Sequence, residues 1–212
     1  MKKLAAAGLA LFASLLLSVA AAQPPAPSRN SEPARELSPP ELLQALRAGG
    51  YILYFRHSST DFSRNDDNMT SYEDCSRQRN LTDAGRAQAR AIGERIRALE
   101  IDSSKVLASP YCRTVETAML IFGRAEKSAD VRGGPVGPEN PERYAALRKL
   151  FMTKVPAGTN LAIASHGNPF RAVAGPPYLA EGEAAVVRPL ETDFEIVARV
   201  RPERWNELQA AR

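Results

Sequence analysis

Residues 52–60 read Ile-Leu-Tyr-Phe-Arg-His-Ser-Ser-Thr, an apolar run that passes without a break into an arginine, a histidine and three hydroxyls. Behind the Gly49-Gly50 pair, the stretch from Tyr51 to Phe55 suits a short strand buried in a sheet. The chain has only two histidines, and the other one, His166, also follows an apolar run, Asn160-Leu-Ala-Ile-Ala-Ser165. A third run, Lys105-Val-Leu-Ala-Ser109, leads into Pro-Tyr-Cys-Arg113. Sites in open α/β sheets form outside the carboxyl ends of the parallel strands. His57, His166, Arg56 and Arg113 are therefore expected to meet at one edge. A lone histidine in this position is more often structural than chemical; both histidines of a chain placed after strands make a stronger signal.

Helical patterns separate these runs. Pro40 to Arg47 is amphipathic and ends at Gly49-Gly50. From Thr82, residues Gly85, Ala89, Ile92, Ile96 and Leu99 recur at helical spacing, with small residues at the N-terminal end where another backbone could approach closely. Ser109-Pro110 reads as a cap and first helical residue, with Val115, Ala118, Met119 and Phe122 inward and a stop at Gly123. A helix is expected over about 141–152, strands over 183–188 and 194–200, and a closing helix over about 203–210. This alternation argues for an α/β sandwich with a mostly parallel central sheet. The polar stretch from Ser58 to Arg79 is long for a connection, and long loops commonly have a function.

Length and composition bound the rest. With 212 residues, 44% hydrophobic and 25% charged, the chain can bury one good core. Residues 1–22 carry two lysines, a Leu/Ala-rich run and Ala20-Ala21-Ala22, the pattern of a secretory signal; the other reading is a membrane anchor, since 4–22 lack charge. Cleavage would leave a periplasmic or secreted protein with no stable membrane insertion, and would remove Lys2 and Lys3 from a net charge of only +4. That balance does not suit nucleic-acid binding. Residues 23–40 hold six prolines and read as an extended tether, which places the folded domain at 41–212. Export would place Cys75 and Cys112 in an oxidising compartment, where a disulfide between them is expected; the other readings are two free thiols and, more weakly, a zinc pair.

Two imidazoles and two guanidiniums form a pocket suited to phosphate, because the arginine fork holds oxyanions bidentately and keeps its charge. Arg113 also falls in the first turn of a helix, where free amides favour an anion. Arg79, just before the Thr82 helix, is a candidate third guanidinium. No clustered His/Asp/Cys set has metal spacing, so neither metal nor cofactor is expected.

The ordered segments Arg56-His57-Ser58-Ser59-Thr60, Leu81 to Ala89, Ser109 to Ala118 and Ser165-His166-Gly167 resemble the motifs of the histidine phosphatase (phosphoglycerate mutase-like) superfamily. The resemblance spans about 50–189 and is strongest to its small exported phosphatases and short phosphohistidine phosphatases. It implies a three-layer, phosphoglycerate mutase-like fold, a nucleophilic His57 that becomes phosphorylated, and a phosphoryl group held by Arg56, Arg113 and His166. Two positions depart from the family pattern: Ser58 stands where glycine is usual, and Ser63 where asparagine is usual, with Asn65 and Asn68 nearby.

Four carboxyls are candidates to protonate a leaving group: Asp61, Asp66, Glu116 and Glu139. The expected activity is hydrolysis of a phosphomonoester or a phosphohistidine-type substrate. The competing readings are a non-catalytic module that binds phosphorylated glycans or lipopolysaccharide, and a mutase. Substrate identity and oligomeric state are not encoded in any motif.

Overall fold

The computed structural model describes residues 36–134 and 142–210. The candidate signal at 1–22, the tether up to residue 35 and Glu139 lie outside the described residues. Among those described, no helix is long and apolar enough to cross a membrane.

Ordered structure starts ahead of Glu41. The Leu37 amide donates to the Val197 carbonyl (2.8 Å), and Glu36 accepts from the Arg199 amide (3.1 Å). Helix α1 (Pro39–Ala48) then begins at a proline whose missing N–H costs nothing in a first turn. Glu41 accepts from both the amide and the hydroxyl of Ser38, at 2.9 and 2.6 Å. These bonds outweigh the extended preference of the final prolines.

The remaining elements are β1 (Ile52–Arg56), α2 (Asp83–Ala98), β2 (Ser103–Ala108), α3 (Cys112–Phe122), β3 (Glu126–Lys127), α4 (Ala145–Phe151), β4 (Asn160–Ser165), α5 (Gly167–Ala174), β5 (Ala184–Pro189), β6 (Phe194–Val200) and α6 (Trp205–Ala210). The strands form one mixed sheet in the order β3-β2-β4-β1-β5-β6. Pairing is parallel at β1/β4, β2/β4 and β2/β3, and antiparallel at β1/β5 and β5/β6.

The two-residue period of β1 divides the core. Leu53 and Phe55 pack on one face with Leu46 of α1, Ile92 and Ile96 of α2, and Trp205 of α6. Ile52 and Tyr54 pack on the other with Leu147 and Phe151 of α4 and Phe170 of α5. The architecture is therefore a three-layer α/β sandwich, with β1 and β4 covered on both sides.

Three expectations change at α3, α4 and α5. Ser109 does not cap α3; Tyr111 takes that position and the helix begins at Cys112. The buried face of α3 is Thr114, Thr117, Ala118 and Ile121, while Met119 is 47% exposed. Thr114 and Thr117 can turn inward because their hydroxyls donate to the carbonyls of Ser109 and Arg113, both at 2.7 Å. Helix α4 is shorter than expected, starting at Ala145, and Pro141 lies outside the described residues. Past β4, His166-Gly-Asn-Pro169 does more than end a strand, since it opens α5 with Pro169 in its first turn. The closing segment begins as a 3-10 turn over Pro202–Arg204 before α6.

Helix α2 carries the small-residue contact that its pattern suggests. A Cβ at Gly85 would lie 2.1 Å from the Ser59 carbonyl oxygen, so the loop after β1 rests directly on the helix backbone. Gly85→Ala is expected to destabilise the fold by about 1–3 kcal/mol through overpacking. Urea unfolding checks this; an unchanged midpoint would show that the Ser59 backbone yields freely.

Candidate active site

Strand register places the chemistry. Arg56 pairs with Ser165 in β1/β4, and Ala108 pairs with Ala164 in β2/β4. One residue further on, the His57 amide donates to the Ser165 carbonyl (2.9 Å) and the Ser109 amide to the Ala164 carbonyl (2.9 Å). His57, His166 and Ser109 therefore leave the sheet side by side. The two imidazole centroids are 5.6 Å apart, edge to face.

His57 is almost fully buried. Its Nδ1 lies 2.9 Å from its neighbour's carbonyl, Ser58 O, which can only accept, so the proton resides on Nδ1 and the lone pair on Nε2. Burial, reinforced by the guanidiniums of Arg113, Arg56 and Arg79 and opposed by the Ser58 bond, lowers its pKa from 6.5 to about 3. The ring is thus a neutral base at ordinary pH.

Ser58 needs no glycine conformation, since Glu100 is the sole non-glycine residue with positive φ among the described residues. Its amide donates to the Thr117 hydroxyl (3.1 Å), which ties the loop to α3. Ser63, the other departure, is exposed and bonded to Asp61.

His166 sits at the start of α5. The Tyr54 hydroxyl donates to its carbonyl (2.7 Å), and its Nε2 lies 2.8 Å from Ser109 Oγ. Burial, then the charge of Arg113, holds its pKa well below 6.5. The Tyr111 ring packs on it with centroids 5.0 Å apart, and a Cβ at Gly133 would overlap it at 2.6 Å.

His57, His166 and Tyr111 line a cavity of about 270 Å³, together with Arg56, Arg79, Arg113, Asp66, Asn168 and Tyr178. Arg56 donates to the Leu179 carbonyl (2.7 Å) and to Glu181 (3.4 Å). Arg113 is paired at both terminal nitrogens with Asp66, each contact 3.0 Å. The Arg79 guanidinium lies 4.8 Å from the Phe62 ring centroid. The Nε atoms of Arg56, Arg79 and Arg113 are buried without a protein partner. Buried donors in this state favour an oxyanion that can reach them.

Among the candidate proton donors, Asp66 alone among the described residues lines this cavity. Asp61 accepts from Ser63 at the surface, and Glu116 pairs with Arg86 at 2.7 Å.

Glu181 was not evident in the sequence. It accepts from the Thr60 amide and hydroxyl (3.2 and 2.7 Å) and bonds Arg56, which places it 3.9 Å from His57 Nδ1. It reaches the site because β5 runs antiparallel to β1, so that the residues preceding β5 meet those following β1. An inserted carboxylate ahead of an alternating strand carries no local signal of that arrangement.

Cys75 and Cys112 form a disulfide with a Cα separation of 5.7 Å. The bond joins the loop carrying Asp66 and Arg79 to the first turn of α3, one residue before Arg113. Gln78 assists the same junction, accepting from the Cys112 amide at 2.9 Å.

Against known proteins, residues 52–134 match the family model described as histidine phosphatase superfamily (branch 1). That segment contains His57, Arg79 and Arg113. No curated protein matches the chain in sequence. Among solved structures, mycobacterial glucosyl-3-phosphoglycerate phosphatase in complex with inorganic phosphate aligns with a TM-score of 0.54 at 13% identity, over 73% of this chain and 99% of that one. The SixA protein of Agrobacterium tumefaciens aligns with a TM-score of 0.52 at 14% identity, over 72% and 99%. The protein histidine phosphatase SixA complexed with tungstate aligns with a TM-score of 0.50 at 17% identity, over 73% and 98%. At these identities the likeness shows the phosphoglycerate mutase-like fold.

Between pH 6.5 and about 3 the unfolded chain protonates His57 while the folded one does not, so stability falls as pH drops through that window. Each such histidine contributes a slope of up to about 1.4 kcal/mol per pH unit. The stability difference between wild type and His57→Gln is expected to shrink from pH 7 to pH 4.5 in urea titrations; a constant difference would mean the imidazole titrates normally. Separately, replacing both cysteines by serine is expected to cost at most about 4 kcal/mol for a crosslink of this span in the chain-entropy model. Thiol titration of the denatured, unreduced protein should find none free.

Proposed function

We propose that this chain, a member of the histidine phosphatase superfamily, is an exported phosphatase that hydrolyses a phosphomonoester or a phosphohistidine-type substrate through a phosphohistidine intermediate on His57. The observation that carries the reading is the bond from His57 Nδ1 to Ser58 O, which leaves Nε2 as a neutral nucleophile in a cavity lined by three arginines.

Nε2 attacks phosphorus in line while Arg56, Arg113 and His166 hold the equatorial oxygens, and Arg79 adds a third guanidinium. The P–O bond to the leaving group, or the P–N bond of a phosphohistidine-type substrate, breaks as the P–N bond to His57 forms, and the departing group takes up a proton from water. Water then attacks phosphorus, the P–N bond breaks, and His57 and inorganic phosphate are regenerated. Phosphoryl transfer asks chiefly for positioning and for stabilisation of charge on those oxygens. The guanidiniums supply that charge, so the reading requires no metal; among the described residues no group of three His, Cys, Asp or Glu side chains is placed to hold one.

Export rests on the signal-like residues 1–22, and the Cys75–Cys112 bond supports an oxidising compartment, periplasmic or extracellular. That compartment also disfavours a mutase acting on a cytoplasmic metabolite. A binding module would have no use for the neutral, oriented nucleophile.

His57→Ala should abolish turnover of a generic phosphomonoester, and His166→Ala should lower kcat by about 10²–10³, as for loss of one transition-state donor. Rapidly quenched wild type should carry an acid-labile, base-stable phosphoryl group on His57. Label on Ser58, Ser59 or Thr60, or activity lost to a chelator and restored by one metal, would overturn the mechanism.

A further inference from the structure

We propose that Asp66 is a displaceable internal ligand of Arg113, which trades places with the phosphoryl group and thereby speeds release of inorganic phosphate. The proposal rests on the catalytic reading above for its place in the cycle, and on geometry for its existence. Arg113 Nη1 donates to Asp66 Oδ1 at 3.0 Å, and Nη2 faces Oδ2 at 3.0 Å, so the carboxylate takes the fork in the bidentate manner in which a phosphate would. Nη1 spends its other hydrogen on the Arg79 carbonyl (3.2 Å). A phosphoryl group that engages the same fork meets a carboxylate already seated there.

The two partners are unequally placed for that contest. The Arg113 side chain, in the first turn of α3, is 6% exposed, with its guanidinium 4.4 Å from the Tyr111 ring centroid. The Asp66 side chain is 26% exposed and stands on the polar loop between β1 and α2. Asp66 can move into water at little solvation cost, whereas Arg113 would leave its packing. Arrival of a phosphoryl dianion therefore drives the carboxylate outward.

Asp66 Oδ1 also accepts the Arg79 amide at 2.9 Å, so its departure frees a backbone donor beside the Arg79 guanidinium. The incoming anion gains that donor along with the fork. After hydrolysis the carboxylate returns to both, which weakens the hold on phosphate. Asp66 acts here through Arg113 and Arg79 and is a positioning residue.

Calorimetric titration of the disulfide-bonded protein with inorganic phosphate tests the exchange. Asp66→Asn is expected to bind phosphate about tenfold more tightly, and its KM to fall by a similar factor with kcat no higher than wild type. Asp67→Asn removes the same charge one residue away, where the side chain bonds Asn65 instead, and should stay within about twofold of wild type. Weaker or unchanged phosphate binding by Asp66→Asn would make the carboxylate a strut that orients Arg113 and would overturn the proposal. An equal gain in Asp67→Asn would reduce the effect to general charge and overturn it too.

Should Asp66→Asn fail to fold, hydrogen exchange on the wild type decides. Saturating phosphate should speed exchange of the amides from Asp67 to Gln78, among which Met69 donates to the Asp66 carbonyl, relative to the rest of the loop, and slower or unchanged exchange there contradicts displacement. Neither readout needs turnover. Absence of hydrolysis with the expected phosphate response would sink the catalytic reading alone, and hydrolysis without that response would sink this one alone.

Discussion

The parallel pairing of β1 with β4 is the constraint on which the site depends. Its register matches Arg56 with Ser165, so the residue after each strand is a histidine and the two rings emerge together. A one-residue slip would turn every side chain of β1 to the opposite face, sending Leu53 and Phe55 away from the α2 and α6 layer. The apolar alternation that specifies the core therefore specifies the juxtaposition of the imidazoles as well. Tyr54 joins the two, packing in the core while its hydroxyl fixes the His166 carbonyl.

Electrostatics explains why so polar a cluster can sit at the top of a dry sheet. Burial keeps both imidazoles neutral, and two of the three guanidiniums are accompanied by carboxylates, Glu181 at Arg56 and Asp66 at Arg113. An unpaired buried charge would cost several kcal/mol. Glu181 is held by Thr60 as well as by Arg56, and Asp66 by the Arg79 amide as well as by Arg113. The two acidic partners differ in exposure, Glu181 being 14% and Asp66 26% exposed.

The loop between β1 and α2 has little apolar content to order it. The structure compensates with the Ser59 backbone lying on Gly85, the Thr82 amide donating to the Ser59 carbonyl (3.0 Å), and the disulfide to α3. The first two hold the ends of the loop at Ser59 and Thr82, and the disulfide fixes it at Cys75, between Asp66 and Arg79, although most of residues 67–78 are exposed.

Much of this was legible in the sequence for a local reason. Apolar runs of four to six residues, helical spacing in α2, and histidine or arginine directly after a strand are short-range patterns, and the parallel rule for sheet edges converts them into a common site. The pairing of Cys75 with Cys112 is expected from export, but it depends on a Cα separation of 5.7 Å that no spacing supplies. On the inward face of α3, Ala118 is buried and Val115 and Phe122 pack partly buried against the core as expected, whereas Met119 is exposed; Thr114 and Thr117 are buried too, because their hydroxyls donate to backbone carbonyls. Glu181 and the bidentate hold of Asp66 on Arg113 belong to tertiary structure alone. Each joins segments that are distant in the chain, one through an antiparallel neighbour and the other through a crosslinked loop, and charge partners of that kind are chosen by proximity, which residue type does not encode.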